Sequence, residues 1–249
     1  MTVMAGPIRV PCAQCPLRGC AGLRQLDADQ TAYVQHFKQA EVRLARGEQV
    51  LRQDERSPHL FTLLEGVLMR FRLLEDGRRQ IVNFMFPGDL IGLQSALGEP
   101  LSHGVEALTG ATLCVFPRER FPELIRDHPE LGYDVVWLAA KEEEALAEHL
   151  VALGQRTARE RIAYLAVFLV QRAMETGIAR GTSLTLSVTQ SQIADMLGLS
   201  LVHTNRTLQA LRQSNLIGWN LSEIQIPDLD AARAFAHFEG RPERCRPYI

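Results

Sequence analysis

Thr189-Gln-Ser-Gln-Ile-Ala-Asp-Met-Leu-Gly-Leu-Ser200 runs straight into Leu201-Val-His-Thr-Asn-Arg-Thr-Leu-Gln-Ala-Leu211, and this pairing decides the C-terminal third of the chain. Thr189 is placed to cap a first helix whose Ile193, Ala194 and Leu197 face a core. Gly198 supplies a left-handed turn residue, and Ser200 caps a second helix pinned by Leu208 and Leu211. Such a helix-turn-helix leaves Val202, His203, Asn205, Arg206 and Gln209 toward solvent, at the end that enters a major groove. Arg206 suits a bidentate contact to a guanine edge, Asn205 an adenine or a phosphate, and Val202 a thymine methyl. Ser200 completes this candidate DNA-binding set. The pair Gly218-Trp219 reads as a turn leading to a strand at Ile224-Gln-Ile226, the wing of a winged helix.

Charge agrees with a polyanionic partner for this segment. Between Gln155 and Asn220 seven arginines face three acids, although the whole chain carries −2. Upstream, Thr157 opens another helix, and Leu184–Val188 reads as a short strand. From about Val42 to Pro117, short apolar strands are cut by turns at Gly47-Glu48, Glu65-Gly66, Asp76-Gly77 and Pro87-Gly88-Asp89. That spacing is expected of an antiparallel barrel or jelly roll. Helix signals resume near Pro122. Val136, Ala139, Glu143, Leu146, Leu150 and Leu153 then fall at alternating steps of three and four, a coiled-coil seam. Such a stripe could cover the chain's own barrel, but its length favours a homodimer helix, weakened by Ala139 and Glu143.

Three of the five cysteines lie in Cys12-Ala-Gln-Cys-Pro-Leu-Arg-Gly-Cys20, and Cys114 lies in the apolar run Ala111–Pro117. Crowded thiolates repel unless a metal sits between them or a disulfide removes the charge. The residues alone leave open an iron–sulfur centre, a zinc or thiol-redox site, and no cofactor at all. Cys245 stands apart. The N-terminus lacks the basic start and apolar core of a secretory leader, and no run of about eighteen apolar residues is present, so a cytoplasmic protein without a membrane partner is expected. There disulfides are rare. No catalytic constellation is evident, and no enzyme activity is expected.

Taken together, these motifs resemble the Crp/Fnr family of bacterial transcription regulators over nearly the whole chain. Arg46-Gly-Glu, Leu63-Leu-Glu-Gly-Val, Asp76-Gly-Arg-Arg-Gln and Phe86-Pro-Gly-Asp-Leu-Ile-Gly92 resemble its effector domain, and Leu197-Gly-Leu-Ser with Asn205-Arg206 its recognition region. The resemblance implies an α+β protein: a cysteine-rich arm (1–25), a β-roll sensor (26–125), a dimerisation helix (126–155) and a winged helix-turn-helix with its tail (156–249). It implies a homodimer on palindromic double-stranded DNA, working with RNA polymerase. Val202 stands where many members carry a cytosine-reading glutamate, so the half-site is expected to differ. For the cyclic-nucleotide branch, Asp89 falls near the ribose glutamate and Ser102-His103 where an arginine should hold the phosphate. A neutral histidine is a poor anion anchor, so cAMP is not expected. Cys12, Cys15, Cys20 and Cys114 instead match the oxygen-sensing branch, implying a [4Fe–4S] cluster on these four, although the Cys15–Cys20 gap is shorter than usual. Two other readings stay open: a family member sensing a small ligand, haem or thiol state, and a cysteine-based electron carrier.

Overall fold

In the computed structural model the strands of the sensor region carry apolar residues on both faces, and the reason is visible in what covers them. The structure describes residue 6, residues 10–239 and residues 245–249. Residues 1–5 and 7 of the stretch examined for a leader, and residues 240–244 of the tail, lie outside the described residues.

Two short 3-10 turns, Cys12–Gln14 and Pro16–Gly19, lead to α1 (Ala28–Phe37), closed at its start by a capping box between Asp27 and Gln30. Eight strands follow: β1 (Ala40–Leu44), β2 (Gln49–Leu51), β3 (His59–Glu65), β4 (Leu68–Leu73), β5 (Arg79–Met85), β6 (Leu90–Ile91), β7 (Gly104–Ala107) and β8 (Ala111–Pro117). They form two antiparallel sheets, ordered β1-β8-β3-β6 and β2-β7-β4-β5, the expected β-roll. Between the sheets pack Val42, Leu63, Leu113 and Val115 with Leu68, Met85 and Val105. The alternate residues of the first sheet, Leu60, Leu64, Cys114 and Phe116, turn outward into a second cluster with the N-terminal arm. Met69, Phe71, Ile81 and Phe84 of the second sheet, with Val67 just before β4, join a third cluster that belongs mostly to the C-terminal helices. Strands buried on both faces lose polar alternation.

After α2 (Phe121–Asp127), α3 (Pro129–Gln155) runs for 27 residues, about 40 Å at helical rise. It carries two neighbouring stripes. Leu131, Val135, Leu138, His149 and Ala152 are buried against the chain itself. The expected seam lies beside them: Val136 is 63% and Leu150 71% exposed, Ala139 and Glu143 are exposed, and Leu146 and Leu153 are half-buried. One face of the helix therefore does cover its own β-roll, while the adjacent apolar stripe is largely left open by the described residues.

Thr157 caps α4 (Ala158–Glu175) through a capping box with Glu160, and Ile162 to Val170 are buried in an unbroken run. This helix is the hub of the C-terminal region. Around it lie β9 (Ser183–Thr185), α5 (Gln190–Leu197), α6 (Leu201–Gln213), β10 (Gly218–Trp219), β11 (Glu223–Gln225) and α7 (Leu229–Phe235). β9 is shorter than the strand read from sequence. Gly218-Trp219 forms a strand of the wing rather than a turn. The turn is one step later, where the Asn220 side-chain carbonyl accepts the N–H groups of Ser222 and Glu223, each at 2.9 Å.

Polar contacts tie the regions together. The Tyr164 hydroxyl on α4 donates to His149 Nδ1 on α3 (3.0 Å), and the other ring nitrogen, Nε2, meets Asn83 Oδ1 on β5 at 3.1 Å. Arg79 on β5 pairs with Asp195 on α5 at 2.9 Å, and Gln80 donates to the Met196 carbonyl at 3.0 Å.

Candidate nucleic-acid interface and cysteine site

The helix-turn-helix forms as its local signals dictate. Thr189 accepts the Gln192 N–H at 3.1 Å and Gln192 returns the bond to the Thr189 N–H at 2.8 Å. Gly198 takes φ +61°, a left-handed conformation that a side chain would oppose. Ser200 accepts the His203 N–H at 3.2 Å and so starts α6. Thr204, Thr207, Leu208 and Leu211 turn inward. Val202, His203, Asn205, Arg206 and Gln209 are all exposed, with Ser200 at the mouth of the helix. No acid occupies the first turn, so the positive end of the helix dipole is left open on the surface that carries Arg206. On α5 the sequence reading needs adjusting. Ala194 is only half-buried, whereas Gln192 and Met196 are buried against the second sheet, with Gln192 Nε2 3.6 Å from the Met69 sulfur. No local pattern announces that second face, because its partner lies over a hundred residues upstream.

The cysteine site is assembled from distant pieces. Cys12 and Cys114 are buried in one apolar cluster, and Cys15 and Cys20 pack against it half-buried. Gln35 on α1 fixes the arm by accepting the Cys12 N–H at 2.7 Å. Among these thiols stands Lys38, which sequence reading missed. Its ammonium donates to Glu41 at 2.6 Å and to the Val10 carbonyl at 2.9 Å, and both side chains of the pair are nearly inaccessible. Burial alone would lower the Lys38 pKa, but Cys114 and Glu41 hold it above its ordinary value. Burial pushes all four thiols up, Cys114 to about 12 despite the opposing Lys38 charge. A metal at this site would have to displace their protons. Arg18, between the arm cysteines in sequence, is exposed and reaches Thr31 at 3.3 Å.

The fit to a metal centre has two sides. Four thiols meet in one apolar environment beside a buried cation, which is the donor chemistry of an iron–sulfur centre. As they stand, however, no three His, Cys, Asp or Glu side chains among the described residues are grouped to hold a metal ion. Cys20 is turned away, with its sulfur 3.3 Å from the Thr176 carbonyl just past α4. Next to it, Gly22 donates its N–H to the Glu175 carbonyl at 3.1 Å. A Cβ at Gly22 would sit 2.6 Å from that oxygen, so the close approach of arm to α4 requires glycine. Cys245 is exposed, its sulfur 3.7 Å from the Ala21 carbonyl.

The positions compared with a cyclic-nucleotide site are otherwise engaged. Asp89 is buried between Arg172 and Arg246, each at 2.8 Å, and also accepts the Phe86 N–H. Its burial favours protonation, but Arg246 and Arg172 outweigh that and hold the carboxyl below its usual range. His103 is buried, and desolvation, with Arg70 and Arg72 nearby, lowers its pKa to about 4. It is uncharged at neutral pH. Ser102, beside it, is exposed and donates to Gln94 at 2.9 Å. No helix among the described residues is long and apolar enough to cross a membrane.

Residues 41–128 match the cyclic nucleotide-binding domain family, and residues 144–235 match the Crp-like helix-turn-helix domain. The chain is 31% identical over 234 residues to the nitrogen fixation regulation protein FixK of Bradyrhizobium diazoefficiens, covering 94% of this chain and 96% of that one. It is 28% identical over 209 residues to the transcriptional activator protein FnrL of Cereibacter sphaeroides, with 83% of each covered. The solved structure of FixK2 from Bradyrhizobium japonicum superposes with a TM-score of 0.68 at 25% identity, over 79% of this chain and 96% of that one. A β-roll, a long helix and a capped helix-turn-helix in this order, with these relatives, make the chain a member of the Crp/Fnr family of DNA-binding transcription regulators.

Proposed function

We propose that this regulator is controlled by an oxygen-labile [4Fe–4S] cluster held by Cys12, Cys15, Cys20 and Cys114, and that it acts as a cytoplasmic homodimer on a palindromic site with RNA polymerase. The observation that carries the sensing part is that Cys12 and Cys114 are buried in one apolar cluster against which Cys15 and Cys20 pack. When bound, the cluster would supply a charged, oxygen-sensitive tether between arm and sheet. The chain's own residues do the rest. Lys38 offsets thiolate charge, with Glu41 holding it in place. Gln35 anchors the arm at Cys12, and Cys20 with Gly22 carries any movement of the arm directly to the end of α4, the hub of the DNA-binding region. The cluster reading requires Cys20 to leave the Thr176 carbonyl and turn inward, so loading and unloading would alter that contact.

The exposed stripe Val136, Ala139, Glu143, Leu146, Leu150 and Leu153 supports the dimer, since stable association needs an apolar seam left open by the monomer. Ser200, Val202, His203, Asn205, Arg206 and Gln209 are the proposed DNA-contacting set. A dimer would then set two copies of α6 one helical turn apart on DNA. Neutral, buried His103 and the doubly paired Asp89 speak against cAMP as the signal.

Iron content tests the sensing part. Purified without air, the protein should be brown and hold about four irons and four sulfides per chain. Cys114→Ser should remove both colour and iron while circular dichroism stays unchanged. A Cys114→Ser protein with full iron would refute the proposed ligand set.

A further inference from the structure

Cys114 lies in the middle of a row that crosses the outer face of the first sheet. Its partner on β1 is Glu41 and its partner on β3 is Thr62. Directly opposed residues of antiparallel strands share a face. Glu41 accepts the Val10 N–H at 2.9 Å and so holds the arm. Thr62 donates its hydroxyl to the main-chain oxygen of Ile249. The cysteine therefore has the arm on one side and the tail segment around Ile249 on the other.

The tail is seated by more than this bond. The Arg246 N–H donates to the Gly22 carbonyl at 2.8 Å and its carbonyl accepts the Arg24 N–H at 2.8 Å, a parallel bridge to the arm around Leu23. The Arg246 guanidinium meets Asp89 at 2.8 Å, where Arg172 of α4 also lands, and lies 5.8 Å from the Trp137 ring centroid on α3. Tyr248 and Ile249 are 3% and 5% exposed, in the same cluster as Cys12, Leu17 and Phe116. Polar contacts and apolar burial together hold this segment where the arm, the sheet and the DNA-binding region meet.

We propose that Arg246–Ile249 is a latch: a segment of the chain bound within the same chain, in a groove between the cysteine arm and the outer face of β1, β8 and β3. Seated, it closes the arm over Cys114 and clamps the DNA-binding region to the β-roll through Asp89. The groove is a peptide-binding site with a defined ligand class, an extended segment carrying an arginine, then a tyrosine, then an aliphatic residue. Its regulatory meaning rests on the reading of the cysteines as the responsive site; the seating itself does not.

The test compares the full chain with one ending at Cys245, both reduced and free of metal. Each is treated with iodoacetamide, and labelling of each cysteine is followed by mass spectrometry. Local opening governs access to buried thiols, so Cys12 and Cys114 should label about tenfold faster in the shortened chain. A synthetic Arg-Pro-Tyr-Ile peptide should restore slow labelling, whereas the same peptide with alanine for tyrosine should not. Should the shortened chain fail to fold, full-length Tyr248→Ala and Arg246→Ala should each raise the two rates about threefold. Equal rates in all folded variants, or no protection by the peptide, would overturn the latch. No iron is present, so a chain that shows tail-dependent protection yet never takes up iron retains the latch and loses the cluster.

Discussion

The recognition helix and the cysteine site differ in where their information lies. Everything that shapes α6 is within about twenty residues: the Thr189 and Ser200 caps, the left-handed Gly198, and the inward Leu208 and Leu211. Apart from Ser200, which caps the helix, its working side chains face solvent. The cysteine site draws on the arm, α1, three strands, the end of α4 and the segment 246–249, and its working residues are buried or half-buried. Residues on α6 should therefore be separable from stability, whereas residues around Cys114 should not.

The largest effect that could break this contrast is at Lys38. Removing its ammonium in Lys38→Met leaves Glu41 charged and buried, which should cost about 3–5 kcal/mol of unfolding free energy. Urea denaturation measures it, and the double variant Lys38→Met/Glu41→Leu should recover much of the loss. A single variant as stable as the parent would mean that the site is looser than its burial implies.

Next comes acid sensitivity. His149 is buried, and desolvation, with Arg70 and Arg156 nearby, lowers its pKa to about 4. In the unfolded chain it titrates near the ordinary 6.5, so the unfolded state takes up the proton first. Stability from this source is complete above about pH 6.5 and falls as pH drops toward 4. The loss should be on the order of 3 kcal/mol. His149→Gln should flatten that part of a stability–pH curve. Unchanged acid sensitivity would place its cause elsewhere.

The smallest effect on folding, and the sharpest on function, is at Arg206. Arg206→Ala should weaken specific DNA binding by about 1–3 kcal/mol, the range of a bidentate base contact. Stability should stay within about 0.5 kcal/mol, as for other exposed positions. A large fall in melting temperature would erase the distinction between the two regions.

The same contrast explains what could be read from the residues beforehand. Caps, turn glycines and helical spacing are local, so α5, α6 and the long α3 were legible, as was the β-roll from its evenly spaced strands. The cysteines were legible as a group because thiols are chemically distinctive at any spacing. Lys38 was not: between Phe37 and Gln39 nothing marks a lysine as buried until β1 brings Glu41 beside it. The tail was equally silent, since the role of Arg246 depends on Asp89 and Trp137, more than a hundred residues upstream. On α3 the heptad pointed to the open stripe, whereas the buried stripe beside it depends on what the β-roll presents.

The central claim is that the state of the cysteine site alters DNA binding. Its most direct test measures the affinity of one iron-loaded, air-free sample for a palindromic duplex, then repeats the measurement after brief exposure to air at the same salt concentration. The two states should differ by about tenfold or more, within the usual span of coupling between two sites, as the brown colour fades. Equal affinity before and after the colour is lost would contradict it.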